Sequence, residues 1–139
     1  MTLQSRTKST AIRQLWPLLA VRDVHRSVDF YQNKLGFSVA GRAEDNGRLF
    51  WCRMERGGAS IMLQQADVED GPAESWGRGV TFYFVCDDAD AMHAELVSLG
   101  VQLRPVSLAD YGMKQLFVPE PDGYTICFES PTERWEHGA

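Results

Sequence analysis

The chain has 139 residues, the size of one ordinary domain, with 44% hydrophobic and 24% charged residues. This composition predicts a packed core, and the formal net charge of −5 argues against nucleic acid as the main partner. No apolar run reaches the roughly 18 residues that a membrane-spanning helix needs, so no membrane association is expected. The acidic balance is a faint indication that a bound small molecule carries positive charge.

Three cysteines, Cys52, Cys86 and Cys127, are scattered without a C-x-x-C pair, which suits free thiols in a reducing compartment. The first ten residues, MTLQSRTKST, contain basic residues but lack the apolar stretch of a secretory signal. We therefore expect a cytoplasmic protein whose residues 1–12 form a disordered tail.

The first half of the chain predicts a β-α-β-β-β order. An apolar run at 15–22 suits a buried strand, and Asp23 suits the N-cap of an amphipathic helix that ends at Gly36. Three more strands are predicted at 37–41, 49–54 and 59–65, the last of them after a Gly57-Gly58 turn.

The second half repeats this order. It predicts a strand at 80–85, a helix capped by Asp87 or Asp88 and closed by Gly100, and strands at 101–106, 113–118 and 124–130. Val21 and Val85 are 64 positions apart, as are Gly36 and Gly100, whereas Gly58 and Gly123 are 65 apart. We infer two tandem modules, with one extra residue in the second copy.

Domain organisation follows from this repeat. We expect module 1 at 13–65, an acidic linker at 66–78, module 2 at 79–130, and a C-terminal tail at 131–139.

Two stretches, RDVHRSVDFYQNKLGF (22–37) and PDGYTICF (121–128), resemble the vicinal oxygen chelate superfamily, which includes glyoxalase I, extradiol dioxygenases and bleomycin-resistance proteins. The resemblance covers about residues 13–130 and is closest to the metal-free, bleomycin-resistance-like branch. It implies an α+β fold in which two βαβββ modules form curved mixed sheets around a groove. It also implies a homodimer, with the modules paired either within one chain or between chains. Glu120 departs from the family pattern, which usually has Asp in D-P-D-G.

The resemblance also gives the positions at which metal-dependent members carry His or Gln, Glu, His and Glu. These positions fall on Trp16, Met62, Val80 and Cys127. A hard or borderline divalent ion prefers imidazole and carboxylate ligands, which these residues do not supply, so we expect neither a metal nor another cofactor. A metal-dependent glyoxalase- or dioxygenase-type enzyme with an atypical site is the alternative. A third interpretation is metal-free catalysis by Glu129 or Cys127.

Strand alternation indicates which residues of the first and last strands share a face with these positions. The resemblance implies that the third strands present Trp51 with Arg53, and Gln115 with Phe117. The result is an aromatic and apolar groove with a few polar groups, the usual composition of a site for an organic molecule. An ordinary core position is the competing interpretation, which we favour for Leu18, Ala20 and Val80. The predicted ligand-binding residues are Trp16, Trp51, Arg53, Met62, Gln64, Phe82, Phe84, Tyr111, Gln115, Phe117, Cys127 and Glu129.

The predicted function is metal-independent binding and sequestration of an aromatic or hydrophobic small molecule. The identity of that molecule depends on the loops at 42–48 and 107–112, whose conformations do not follow from the sequence.

Overall fold

Two four-stranded sheets, each with a helix against one face, form the fold of residues 8–133, the part of the chain that the computed structural model describes. Module 1 contains β1 (Leu18–Val21), α1 (Val24–Asp29) continuing into a π-helical turn (Phe30–Lys34), β2 (Ser38–Asp45), β3 (Arg48–Arg56) and β4 (Ala59–Gln65). Module 2 contains β5 (Thr81–Val85), α2 (Ala89–Ser98), β6 (Ser107–Leu108), β7 (Met113–Val118) and β8 (Thr125–Pro131).

The sheet orders are β1-β4-β3-β2 and β5-β8-β7-β6, with the first pair of each sheet parallel and the others antiparallel. The predicted α+β fold of two βαβββ modules is confirmed. No helix within residues 8–133 is long and apolar enough to cross a membrane. Parts of both predicted tails, residues 1–7 and 134–139, lie outside the described residues.

Aspartate N-caps begin both helices. The side chain of Asp23 accepts hydrogen bonds from the backbone of His25 and Arg26, and that of Asp88 accepts them from Asp90 and Ala91. Asp88, rather than Asp87, is therefore the cap of α2.

One extra residue in the first helical segment explains a difference in spacing between the modules. The caps Asp23 and Asp88 are 65 positions apart, whereas the closing glycines Gly36 and Gly100 are 64 apart. Module 1 accommodates the additional residue in its π-helical turn, where the Leu35 backbone N–H donates to the carbonyl of Phe30 at 3.2 Å. Each residue of β1 consequently corresponds to the residue of β5 that lies 65 positions later in the chain. The predicted spacing of 64 is wrong for these two strands.

The predicted strand at 101–106 is also wrong. The structure has only the two-residue β6 in this region, whereas β2 of module 1 has eight residues. If the β6–β7 register, which pairs Ser107 with Gln115, continued backwards, Pro105 would lie opposite Phe117. Proline has no N–H to donate to the ladder, and the strand ends before reaching it.

The helix-bearing faces of the two sheets share one core. A chain of ring contacts crosses from module 1 to module 2, with centroid distances of 5.8 Å for Tyr31–Phe37, 5.6 Å for Phe37–Phe84 and 5.3 Å for Phe84–Phe128. Fully buried side chains from both modules surround it, including Val21, Leu35, Met54, Ile61, Leu63, Leu96, Leu116 and Ile126. The opposite face of each sheet therefore lies on the outside of this shared core.

The motif that carries the family resemblance docks α1 onto the turn before β8. Asp122, buried in that turn, accepts hydrogen bonds from Arg26 Nη2 at 3.2 Å and from Ser27 Oγ at 3.4 Å. Glu120, also buried, accepts one from the Tyr31 hydroxyl at 2.9 Å and one from the Asp122 backbone N–H at 2.5 Å. Burial raises the pKa of the Glu120 carboxyl, because the charged form loses water. These contacts hold the two modules in one arrangement.

Replacing Tyr31 by Phe is expected to destabilise the protein by about 1–3 kcal/mol, since it removes a hydrogen-bond donor from a buried carboxyl while keeping the ring in the core. Urea unfolding followed by circular dichroism would measure the change. Gln32→Ala, at an exposed position of the same helical segment, is the control and should stay within about 0.5 kcal/mol of the parent. Equal stability of Tyr31→Phe and the parent would contradict this role for the hydroxyl.

Candidate ligand-binding faces

Each sheet has a face opposite its helix, and we term these two surfaces the open faces. Strand register identifies their members, because directly paired residues point to the same side of a sheet. In module 1 the open face comprises Trp16, Leu18, Ala20, Trp51, Arg53, Met62 and Gln64. In module 2 it comprises Thr81, Tyr83, Val85, Gln115, Phe117, Thr125, Cys127 and Glu129.

The open face of module 1 is aromatic, and its one cation is already paired. The guanidinium of Arg53 lies 4.2 Å from the centroid of the Trp16 ring, within the range of a cation–π contact. The same guanidinium donates to Glu55 Oε2 at 3.0 Å and to Ser60 Oγ at 2.8 Å. Trp16 nevertheless stays 43% exposed, so a flat apolar surface is available beside a neutralised charge.

Three predicted residues meet in a hydrogen-bonded group on the open face of module 2. The Tyr111 hydroxyl donates to Glu129 Oε1 at 2.9 Å, and Gln115 Nε2 lies 2.7 Å from that hydroxyl and 3.1 Å from Glu129 Oε1. The hydrogen bond to Glu129 raises the pKa of Tyr111. Tyr83 and Phe117 are 48% and 47% exposed on the same face, so the polar group has accessible aromatic neighbours.

Phe82 and Phe84 do not lie on this face, and the predicted face assignment of β5 is wrong by one residue. They pair with Ile126 and Phe128 and belong to the helix-bearing side, whereas Tyr83 pairs with Cys127 on the open face. The error arises because the helical segment of module 1 has one residue more than that of module 2. Equivalent residues of β1 and β5 are therefore 65 positions apart, not 64. Aligning Asp23 with Asp88 instead of Asp87 would have found Tyr83.

The same shift changes one of the four positions at which relatives carry metal ligands. Thr81, rather than Val80, corresponds to Trp16. The core interpretation favoured for Leu18 and Val80 is also wrong, since these side chains are 51% and 48% exposed, while Ala20 is half-buried.

The four corrected positions hold an indole, a thioether, a hydroxyl and a thiol, from Trp16, Met62, Thr81 and Cys127. These donors do not fit the imidazole and carboxylate set that a hard or borderline divalent ion requires. Within residues 8–133, moreover, His, Cys, Asp and Glu side chains form no group of three that could hold a metal ion.

Cys127 is fully buried beneath the aromatic side chains of the module 2 open face, where it pairs with Tyr83 and Phe117. Burial is the largest cause that raises the pKa of its thiol to about 11. The thiol is therefore protonated at neutral pH, and a protonated thiol is a poor nucleophile.

The linker contributes a residue that strand alternation could not indicate. Trp76 borders a cavity of about 270 Å³ together with Leu18, Ala20 and Gln64 of the module 1 open face. Its indole N–H donates to the carbonyl of Asp70 at 3.0 Å, which fixes the ring at the margin of this face. The only indication in the sequence that Trp76 packs against the protein is its aromatic side chain within a largely polar linker.

The two open faces turn away from each other within one chain. The contacts that join the modules, such as Tyr31–Glu120, Phe37–Phe84 and Arg56–Glu95, lie on the helix-bearing sides or at strand ends. A cavity of about 880 Å³ between the modules is lined by the edge strand β5, α2 and the Gly57-Gly58 turn, so it is separate from the open faces apart from the edge of β5.

The loops that the sequence left undetermined flank these faces. Residues 42–48 complete the long β2–β3 hairpin around Asn46 and Gly47, and residues 107–112 contain β6 and the turn that carries Tyr111.

Iodoacetamide at pH 8 is expected to leave Cys127 unmodified in the folded protein over a period that fully alkylates the urea-unfolded chain, because the native thiol has a pKa of about 11. Mass spectrometry of tryptic peptides would read each site. Cys86, which is only half-buried, serves as the internal control and should be the first to react. Rapid alkylation of native Cys127 would restore the interpretation that it is a nucleophile.

Comparison with a family model places residues 13–128 in the Glyoxalase/Bleomycin resistance protein/Dioxygenase superfamily. No curated protein matches the sequence. Several solved structures share the fold at low sequence identity.

TnmS3, an antibiotic-binding protein from Streptomyces sp. CB03234, aligns with a TM-score of 0.70 and 23% identity over 90% of this chain and 100% of its own. A glyoxalase/bleomycin resistance protein/dioxygenase from Nocardioides gives 0.70 and 20%, over 94% of this chain and 90% of its own. The bleomycin-binding protein of Streptomyces verticillus, complexed with copper(II)-bleomycin, gives 0.65 and 19%, over 90% of this chain and 100% of its own.

Proposed function

The chain belongs to the glyoxalase/bleomycin resistance protein/dioxygenase superfamily, and we propose that within it the protein is a metal-independent binder that sequesters an aromatic or hydrophobic small molecule. The observation that carries this proposal is the composition of the open faces. Accessible aromatic rings stand on the outer side of both sheets, at and around the positions where chelating relatives carry metal ligands.

The chemistry of these faces suits binding better than catalysis. Large aromatic surfaces contribute affinity through burial and stacking, and a few polar groups orient the ligand. The buried thiol of Cys127 is held protonated, and Glu129 is hydrogen-bonded to two neutral side chains. Similarity of fold to an antibiotic-binding protein and to a bleomycin-binding protein supports the same function.

The proposal includes a homodimer in which module 1 of one chain and module 2 of its partner enclose each site. In its support, the open faces of one chain point outward, and each alone is a shallow, half-exposed surface. An organic ligand is normally enclosed over most of its surface, which requires two such faces. A cytoplasmic location is part of the proposal, in line with three free cysteines.

Titration with acridone, bleomycin and copper(II)-bleomycin, followed by calorimetry and tryptophan fluorescence, tests binding. At least one compound should bind with micromolar or better affinity and emerge chemically unchanged. Trp51→Ala should weaken that binding about tenfold or more, since it removes stacking area from the site. Val97→Ala, at an exposed position of α2, is the control and should bind like the parent.

Near-stoichiometric Ni, Zn, Fe or Mn in untagged protein, with turnover of a hemithioacetal or a catechol that chelation abolishes, would instead establish the enzyme alternative. Elemental analysis of the protein as purified makes that measurement directly.

Mixing two binding-defective variants tests the pairing of modules. In a dimer with exchanged modules, a chain carrying Trp51→Ala and a chain carrying Phe117→Ala together form one doubly altered site and one intact site. Random mixing should therefore restore about a quarter of all sites, counted by calorimetric stoichiometry. If the modules of one chain form the site together, mixing restores none, and a monomer in sedimentation equilibrium would also overturn the exchanged arrangement.

A further inference from the structure

Glu129 is a buried carboxylate that has no cationic partner among the residues that the structure describes. Its residue is 8% exposed, and its Oε1 atom accepts the hydrogen bonds from Tyr111 and Gln115. Among residues 8–133, no Lys, Arg or His nitrogen lies within 4 Å of this carboxylate, and Oε2 accepts no hydrogen bond. Every fully buried side-chain nitrogen or oxygen in the described residues has a hydrogen-bond partner. Since Oε2 has none among these residues, it is not fully buried. Oε2 therefore keeps some exposure to solvent.

Neither the hydrogen bonds of Glu129 nor its place in the sheet requires a charged side chain. Gln64, 65 positions earlier, occupies the equivalent place on β4 and is neutral. A glutamine at 129 would accept from Tyr111 and Gln115 through its amide oxygen, without the cost of desolvating a carboxylate. The negative charge of Glu129 has a desolvation cost and no structural need. A cationic ligand that binds from outside would explain why the carboxylate is there.

In the described part of the chain, no other charged group on the open faces is available to balance the negative charge of Glu129. On module 1 the guanidinium of Arg53 is balanced by Glu55 at 3.0 Å. On module 2, Glu129 is paired directly with Val85 and Gln115, and the neutral rings of Tyr83 and Phe117 flank Cys127, two residues earlier on the same face. The faces of such rings attract cations.

We propose that the ligand of this site is a flat aromatic molecule bearing an organic cation, an ammonium or amidinium group, which forms an ion pair with Glu129 Oε2 between Tyr83 and Phe117. This inference rests on the proposed binding function and specifies that the ligand carries a positive charge. A charge-assisted hydrogen bond in a partly buried place is stronger than a neutral one, so charge should discriminate between ligands of the same shape.

Three acridines of nearly equal size test the proposal in calorimetric titrations of the full-length protein: 9-aminoacridine, which is a cation at neutral pH, neutral acridone, and anionic acridine-9-carboxylate. The cation is expected to bind about tenfold more tightly than acridone, and the anion more weakly than both. Added salt should weaken the binding of 9-aminoacridine and leave that of acridone nearly unchanged.

Two sets of variants locate the effect at Glu129. Glu129→Gln should lower the affinity for 9-aminoacridine to that for acridone, while Glu69→Gln, which removes the same charge from the exposed linker, should not. Val85 is paired with Glu129 and is 69% exposed, so its replacement leaves the core intact. Val85→Lys supplies an internal cation and should abolish the preference, whereas Val85→Met should retain it.

The outcomes distinguish the cationic charge of the ligand from the binding function on which that inference rests. Equal affinity for 9-aminoacridine and acridone, or a preference that survives both Glu129→Gln and Val85→Lys, overturns the cationic ligand and leaves the binding function standing. Failure of all three acridines and of bleomycin to bind overturns the binding function itself.

Discussion

The arrangement of the whole molecule depends on the buried contact between α1 and the turn before β8. Glu120 and Asp122 place two carboxyl groups where water is excluded, and their side-chain donors come from the other module. An unpaired carboxylate in such a place costs several kcal/mol, so the modules are stable only when Tyr31, Ser27 and Arg26 reach these groups. Because this contact lies on the helix-bearing side, it joins the modules back to back. Their open faces are thereby left outside the core, accessible to a ligand or to a second copy of the chain.

One residue determines which side chains reach those faces. Strand side chains alternate with a period of two, so an alignment error of a single residue moves every side chain of a strand to the opposite face. The first helical segment has one residue more than its counterpart and absorbs it in a π-helical turn. Leu18 of β1 therefore corresponds to Tyr83 of β5, although the end of the helix and the third strands keep a spacing of 64. The turn thus lets the first strand of module 1 keep its face although the two helical segments differ in length by one residue.

The sequence was sufficient for features that depend on local chemistry, and insufficient for features that depend on register. Aspartate caps, closing glycines and alternating strands have local causes, and they predicted the module order. The family resemblance, combined with strand alternation, predicted the open faces on β3, β4, β7 and β8. The face of β5 depended on which aspartate caps α2, because only Asp88 gives the spacing of 65 that applies to the first strands. No residue in Phe30–Lys34 indicates the π-helical turn that absorbs the difference. The shortness of β6 depends on where Pro105 meets the ladder, and the position of Trp76 depends on the path of the linker. Both are set by tertiary structure. The roles of the individual site residues in binding stay predictions.

The two open faces are chemically different, and in the proposed shared site this difference would give each face a distinct task. Module 1 offers indole surface next to an arginine already paired with a glutamate, which favours stacking without selecting for charge. Module 2 offers the smaller rings of Tyr83 and Phe117, and it holds a carboxylate that has no cationic partner among residues 8–133 in a fixed hydrogen-bonded setting. A ligand enclosed by one face of each kind would gain affinity from the first and orientation from the second. Two identical faces could not do both, because a second carboxylate in place of Gln64 would add the desolvation of another charge. In the proposed site, divergence of the two copies would thus give the repeated module its use.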